Sequence, residues 1–151
     1  MTLRLSSPEF GTGKRIPRRF SGEGDDVSPP LVWTGVPPGT KELALICDDP
    51  DAPRSTPWVH WLVAGIPPSW SGLPEGVDDG ALVEGITDFG DVGHGGPMPP
   101  KGNGVHHYHF RLIALDAPLT LREGFTKVRL LQAVEGHVLA EAGLIGTYER
   151  T

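Results

Sequence analysis

Trp58-Val59-His60-Trp61-Leu62-Val63-Ala64-Gly65-Ile66 is almost wholly apolar and stops at Pro67-Pro68. Aromatic and β-branched residues in a run of this length, closed by prolines, read as a buried strand rather than a helix. On its N-terminal side Glu42–Asp48 is a second such strand, ending in acid, with an apolar interior that suits burial on both faces. On its C-terminal side His106–Leu115 is a third. Asp49-Pro50-Asp51-Ala52-Pro53 joins the first two through a loop whose prolines fix φ and remove two backbone donors. Leu31-Val32-Trp33 adds a brief strand and Ala81–Thr87 a weaker one, whereas Gly90 to Gly104 is a long loop. A loop of that length in a compact domain is more often functional than decorative. One segment has helical periodicity, Thr126–Ala142, with Leu131, Val134, Val138 and Ala142 on one stripe. Gly143 is placed to end it, and Leu144–Tyr148 follows as a terminal strand. Residues 1–151 thus read as a single mainly β domain with one late C-terminal helix.

Composition narrows the functional classes. Gly 21 and Pro 16 make up about a quarter of the 151 residues, near the level at which disorder is suspected. Because they fall between apolar runs, they read instead as turns between short strands. A net charge of −6 argues against nucleic-acid binding, which needs a basic footprint. Cys47 is the only cysteine, so neither an intrachain disulfide nor a cysteine-rich zinc site can form, and its apolar neighbours mark it as a small buried hydrophobe. The first residues lack the apolar core of a signal peptide, and no apolar stretch approaches the roughly 18 residues of a membrane span. These features predict a soluble, cytoplasmic protein without integral membrane association.

Polar groups collect at the ends of the strong strands. Strand alternation puts His106, Tyr108, Phe110 and Leu112 on one face and His107, His109 and Arg111 on the other. It also puts His60 on a face with Leu62 and Ala64, pointing to the interior or a pocket. If the strands are neighbours, Asp49, His60, His106 and Tyr108 converge beside a glycine-rich loop whose N–H groups can turn toward an anion. Asp49 would fix a histidine tautomer or accept from an amine on the ligand. The alternative is a satisfied core histidine at His60 and a loop-capping role for Asp49. His107 and His109, with His94 or an acid, form a weaker metal-ligand pattern. No Gly-x-Ser-x-Gly elbow, glycine-lysine phosphate loop or His-Glu-x-x-His helix is present, which lowers the enzymatic reading.

Two segments carry a resemblance. Asp49-Pro50-Asp51-Ala52-Pro53 with Trp58-Val59-His60-Trp61 resembles the first signature of the phosphatidylethanolamine-binding protein (Raf kinase inhibitor protein) family. The stretch from Gly96 through Pro97-Met98-Pro99-Pro100-Lys101-Gly102-Asn103-Gly104-Val105 to His106-His107-Tyr108 resembles the second. Ser28–Trp33 and the closing helix with Gly146-Thr147-Tyr148 match its bacterial and archaeal branch. The resemblance implies two antiparallel sheets with Greek-key connections and an anion pocket formed by Asp49, His60, His106 and Tyr108. Asp51, Pro53, Trp58, Pro100 and Gly102 would shape its walls, and Thr56–Pro57 would be a cis peptide. The implied function is non-catalytic binding of a phosphate-type group, on a phospholipid head group, a nucleotide or a phosphorylated ligand, without a cofactor. Two alternatives are a regulator that inhibits a kinase or protease through the Gly90–Gly104 loop, and a hydrolase with His60 or His106 as acid/base and Asp49 as orienter. A homodimer is implied by resemblance alone.

Overall fold

A computed structural model describes residues 2–151. Eight strands form two antiparallel sheets: β1 (Arg4–Ser6), β2 (Leu31–Thr34), β3 (Glu42–Asp49), β4 (Trp58–Ile66), β5 (Gly72–Leu73), β6 (Val83–Glu84), β7 (His106–Leu115) and β8 (Val138–Tyr148). The smaller sheet has the order β1-β2-β5 and the larger β6-β4-β3-β7-β8. Within the larger sheet β3, β4 and β6 follow one another, and β7 returns by a long connection to the free side of β3, which is a Greek key.

Burial follows from this order. β3 is central and buried at every position, as its unbroken apolar run requires. Its Leu43, Leu45 and Cys47 join Trp61, Val63, Phe110, Leu112, Trp33 and Leu73 in a core between the two sheets. The opposite face of the larger sheet, with Ile46, Leu62, Ala64 and Ile113, is covered by Phe125 and by Leu130 and Val134 of the helix α1 (Lys127–Val134). The chain is therefore layered small sheet, large sheet, helix. Glu42 supports the β3–β4 hairpin from within: its buried carboxylate accepts from Gly65 N–H at 2.9 Å and Leu119 N–H at 3.1 Å. Among the described residues no helix is long and apolar enough to cross a membrane.

Several expectations are corrected. The helix is half the expected length. Thr126 caps it, accepting from Arg129 N–H at 3.1 Å, but the buried pair is Leu130 and Val134, while Leu131 is 40% exposed. Gly136, at φ 81°, turns the chain out of the helix. Val138–Ala142 then pairs with Leu112–Leu115 as the start of β8, so Gly143 lies mid-strand. The segment was ambiguous because Val138, Ala140, Ala142 and Leu144 also alternate with period two. Ala81–Thr87 contracts to β6, and β1 and β5 are additional. Thr56–Pro57 is trans, since no described peptide bond is cis. The Arg54 guanidinium donates to Thr56 O at 3.0 Å and to Pro57 O at 2.9 Å, bracing this turn.

Candidate functional site

At the end of the larger sheet, the last residue of β3, the first turn of β4 and the first residues of β7 enclose a pocket of about 200 Å³. Asp49, His60, His106 and Tyr108 all line it, so the topology brings the four expected residues together. Asp49 and His106 lie on neighbouring antiparallel strands, with Asp48 opposite His109. Tyr108 follows His106 by two residues and shares its face.

His60 arrives by a route that alternation does not foresee. Cys47 pairs with Trp61 while Asp48 pairs with Val59, so His60 is an extra residue in the ladder, a β-bulge. Leu62 and Ala64 face the helix layer. His60 instead joins Tyr108 on the inter-sheet side, with ring centroids 5.0 Å apart and rings nearly perpendicular. The expected shared face of His60, Leu62 and Ala64 is thus wrong, and the bulge is what re-aims the imidazole into the pocket.

Each polar group has a defined state. Asp49 Oδ2 accepts from His106 Nδ1 at 2.6 Å, and Oδ1 accepts from Asp51 N–H at 2.8 Å. Both carboxylate oxygens are therefore engaged within the protein, and Asp49 orients His106. Asn103 closes the other side of that ring, its side-chain oxygen 2.6 Å from Nε2. His60 Nδ1 donates to Gly95 O at 2.8 Å, and Gly95 N–H returns a bond to His60 O at 2.8 Å. Burial, partly offset by that carbonyl, holds the His60 pKa below its ordinary value. The neutral ring with Nδ1 protonated leaves Nε2 as an acceptor. Burial, reinforced by the Asp49 charge, pushes the Tyr108 phenol well up, so it stays a protonated donor. Tyr108 Oη and Trp58 Nε1 are both buried without a hydrogen-bond partner among the described residues.

The remaining walls are apolar. Pro53, Trp58 and Pro100 line the pocket as expected, joined by Ala52, Phe89, Met98 and Pro99. Phe89 sets its edge against both Trp58 and His60, at 5.5 and 5.3 Å between centroids. Phe89, Met98 and Asn103 escaped sequence reasoning because Met98 and Asn103 lie in the long loop and Phe89 immediately before it, where no period assigns a direction. Two expected wall residues lie outside. Asp51 accepts from the His107 backbone and ring at 2.8 and 2.7 Å, pinning the loop to the outer side of β7. Burial raises the Asp51 pKa, but these bonds outweigh it and hold the carboxyl below its ordinary value. Gly102 is committed to Arg150 O at 3.1 Å.

The glycine-rich loop also departs from expectation. Its Gly95 and Gly96 N–H groups donate to His60 O and Asp26 Oδ1, and Pro97, Pro99 and Pro100 have no N–H at all. Side chains, not a backbone cradle, supply the pocket's donors. Among the described residues no Lys or Arg lines it; the nearby Arg54 guanidinium stacks on the Trp58 ring at 4.6 Å and pairs with Asp88. The metal-ligand pattern is dispersed: His107 is exposed and bonded to Asp51, whereas His94 packs edge-on against Trp61 at 5.4 Å. Among the described residues no group of three or more His, Cys, Asp or Glu is placed to hold a metal ion. A wider trough of about 470 Å³ along β7 and β8 is lined by Asp48, Glu141 and Arg111, and its Asp48 is already paired with Lys127 at 2.6 Å.

Comparison with known proteins agrees with this architecture. The profile of the phosphatidylethanolamine-binding protein matches residues 6–149. A UPF0098 protein of Methanothermobacter thermautotrophicus is 51% identical over 98% of this chain and 99% of its own length. A crystal structure of a phosphatidylethanolamine-binding protein homologue from Chlamydia trachomatis superposes with a TM-score of 0.93, at 40% identity and 99% coverage of both chains. E. coli YbcL, described as a member of the mammalian PEBP family, gives a TM-score of 0.93 at 33% identity, covering 100% of both chains. With two sheets in Greek-key order, both signatures folded around one pocket, and likeness along nearly its whole length, this chain belongs to the phosphatidylethanolamine-binding protein family.

Proposed function

We propose that the chain is a non-catalytic binding protein that holds a small phosphate-type anion in the pocket of His60, His106 and Tyr108. The observation that carries this reading is the pair of buried donors without partners, Trp58 Nε1–H and Tyr108 Oη–H, on residues that line the pocket. A buried donor left unpaired costs about 1–3 kcal/mol, which a ligand rich in acceptor oxygens recovers. Asp49 does not oppose an anion strongly, because both its oxygens already receive N–H groups. His60 Nε2, an acceptor, suits the remaining hydroxyl of a singly protonated phosphate. The apolar walls then fit the carrier of that phosphate, as in a head group or a phosphorylated small molecule.

Titration with inorganic phosphate and with phosphoethanolamine, followed through the His60 and His106 imidazole resonances, tests the proposal. Saturable shifts of both rings are expected, and Tyr108→Phe should weaken binding at least about tenfold through the loss of a hydrogen bond to a charged group. Resonances that stay unmoved at millimolar ligand refute it, as does a His60 shift that persists unchanged in His106→Ala.

A further inference from the structure

Met1 and Met98 are the chain's two methionines, and Met98 stands at the mouth of the pocket. It is 40% exposed, between Pro97 and Pro99, whose fixed φ angles limit any backbone escape. Its thioether lies across Gly22: a Cβ there would stand 2.9 Å from Sδ and 3.2 Å from Cγ. The Gly22 N–H donates to Pro97 O at 2.9 Å and holds the two segments together. One side of the thioether is thus against backbone, while the residue as a whole is part-exposed and lines the pocket.

We infer that Met98 is a modification site at which a hydroperoxide oxidises the thioether to the sulfoxide and thereby weakens anion binding. A sulfur lone pair attacks one peroxide oxygen, an S–O bond forms and the O–O bond breaks. Sulfur loses two electrons, and the departing hydroxide, or alkoxide of an organic hydroperoxide, takes the proton released from the attacked oxygen and leaves as water or the alcohol. The product is a polar, acceptor-only group where an apolar one stood. Its oxygen carries the negative end of the S–O dipole. At this mouth it repels an incoming anion and competes with it for the Trp58 and Tyr108 donors. The loss of affinity rests on the anion-binding reading above; the oxidation of Met98 and its effect on the pocket do not.

The test treats the purified full chain with hydrogen peroxide and reads three quantities. Peptide mass mapping follows the one-oxygen gain at Met98, the His60 and His106 resonances report on the pocket, and phosphate titration reports affinity. Expected are oxidation of Met98 in the folded protein, shifted pocket resonances and a fall in phosphate affinity of about tenfold, all reversed by methionine sulfoxide reductase. In Met98→Leu, neither the resonances nor the affinity of that variant should respond to peroxide. Protection of Met98 at peroxide levels that oxidise the unfolded chain overturns the inference. So does complete oxidation that leaves the pocket resonances in place, or a response that persists in Met98→Leu. If untreated protein binds no phosphate, the functional proposal fails by itself, and the resonances alone then decide for or against the modification site.

Discussion

Asp49 and His94 show how differently two polar residues meet the interior. Asp49 has both oxygens bonded, whereas His94 packs on Trp61 with Nδ1 buried and unpartnered. Desolvation pushes the His94 pKa down to about 4 from its ordinary 6.5, with a smaller contribution from His60. The unfolded chain therefore binds a proton at His94 where the folded chain does not. The stability associated with this neutral ring is complete above about pH 6.5 and is lost as pH falls toward 4. Because the ring retains some exposure, we expect a loss of about 2 kcal/mol from this residue. Urea denaturation of the native chain and of His94→Gln at pH 7 and pH 4.5 measures it; the difference between the two proteins should change with pH, and a constant difference refutes the assignment. Residue identities were largely readable beforehand. The spacing of His106 and Tyr108, and the end of an apolar run at Asp49, sufficed to nominate them. The facing of His60 was not readable, because a bulge is a property of two paired strands and leaves no mark on one.

At the level of elements, legibility tracked length. The β4 and β7 bounds coincide with the expected spans Trp58–Ile66 and His106–Leu115, and β3 exceeds its expected span by one residue. Two-residue strands such as β5 and β6 are too short to display a period and are selected by their neighbours. The helix-to-strand change at Gly136 was masked because α1 and β8 present apolar residues at spacings that satisfy both periods over a few positions. Buried acid within an element is the more informative signal, and Glu42 is the clearest case. Removing its carboxylate leaves the Gly65 and Leu119 N–H groups unpaired. Glu42→Ala should therefore cost about 2–4 kcal/mol, read as a lower denaturant midpoint at unchanged slope. A change within about 0.5 kcal/mol, the range of ordinary surface substitutions, would exclude this role.

For the whole molecule, the order β6-β4-β3-β7-β8 was the part the residues alone could not specify. Ladder hydrogen bonds are made by backbone, which is the same in every residue, so the adjacency of β3 and β7 came from the family resemblance rather than from alternation. The same backbone pairing ties the beginning of the chain to its last strand. Gly13 N–H bonds Ile145 O, Ile16 N–H bonds Thr147 O, and Thr147 N–H bonds Lys14 O, at 2.8 to 2.9 Å. Arg15 adds its guanidinium over the Tyr148 ring at 4.6 Å. The order in which the chain is threaded is consequently separable from the arrangement it reaches. A circular permutant, with its old ends joined by a flexible linker on the order of fifteen residues and new ends opened in the exposed turn at Asp78–Asp79, should fold to the same sheets. It should also return the phosphate-dependent His60 and His106 shifts of the parent. Permuted protein that folds without those shifts would show that the pocket depends on how the chain is connected.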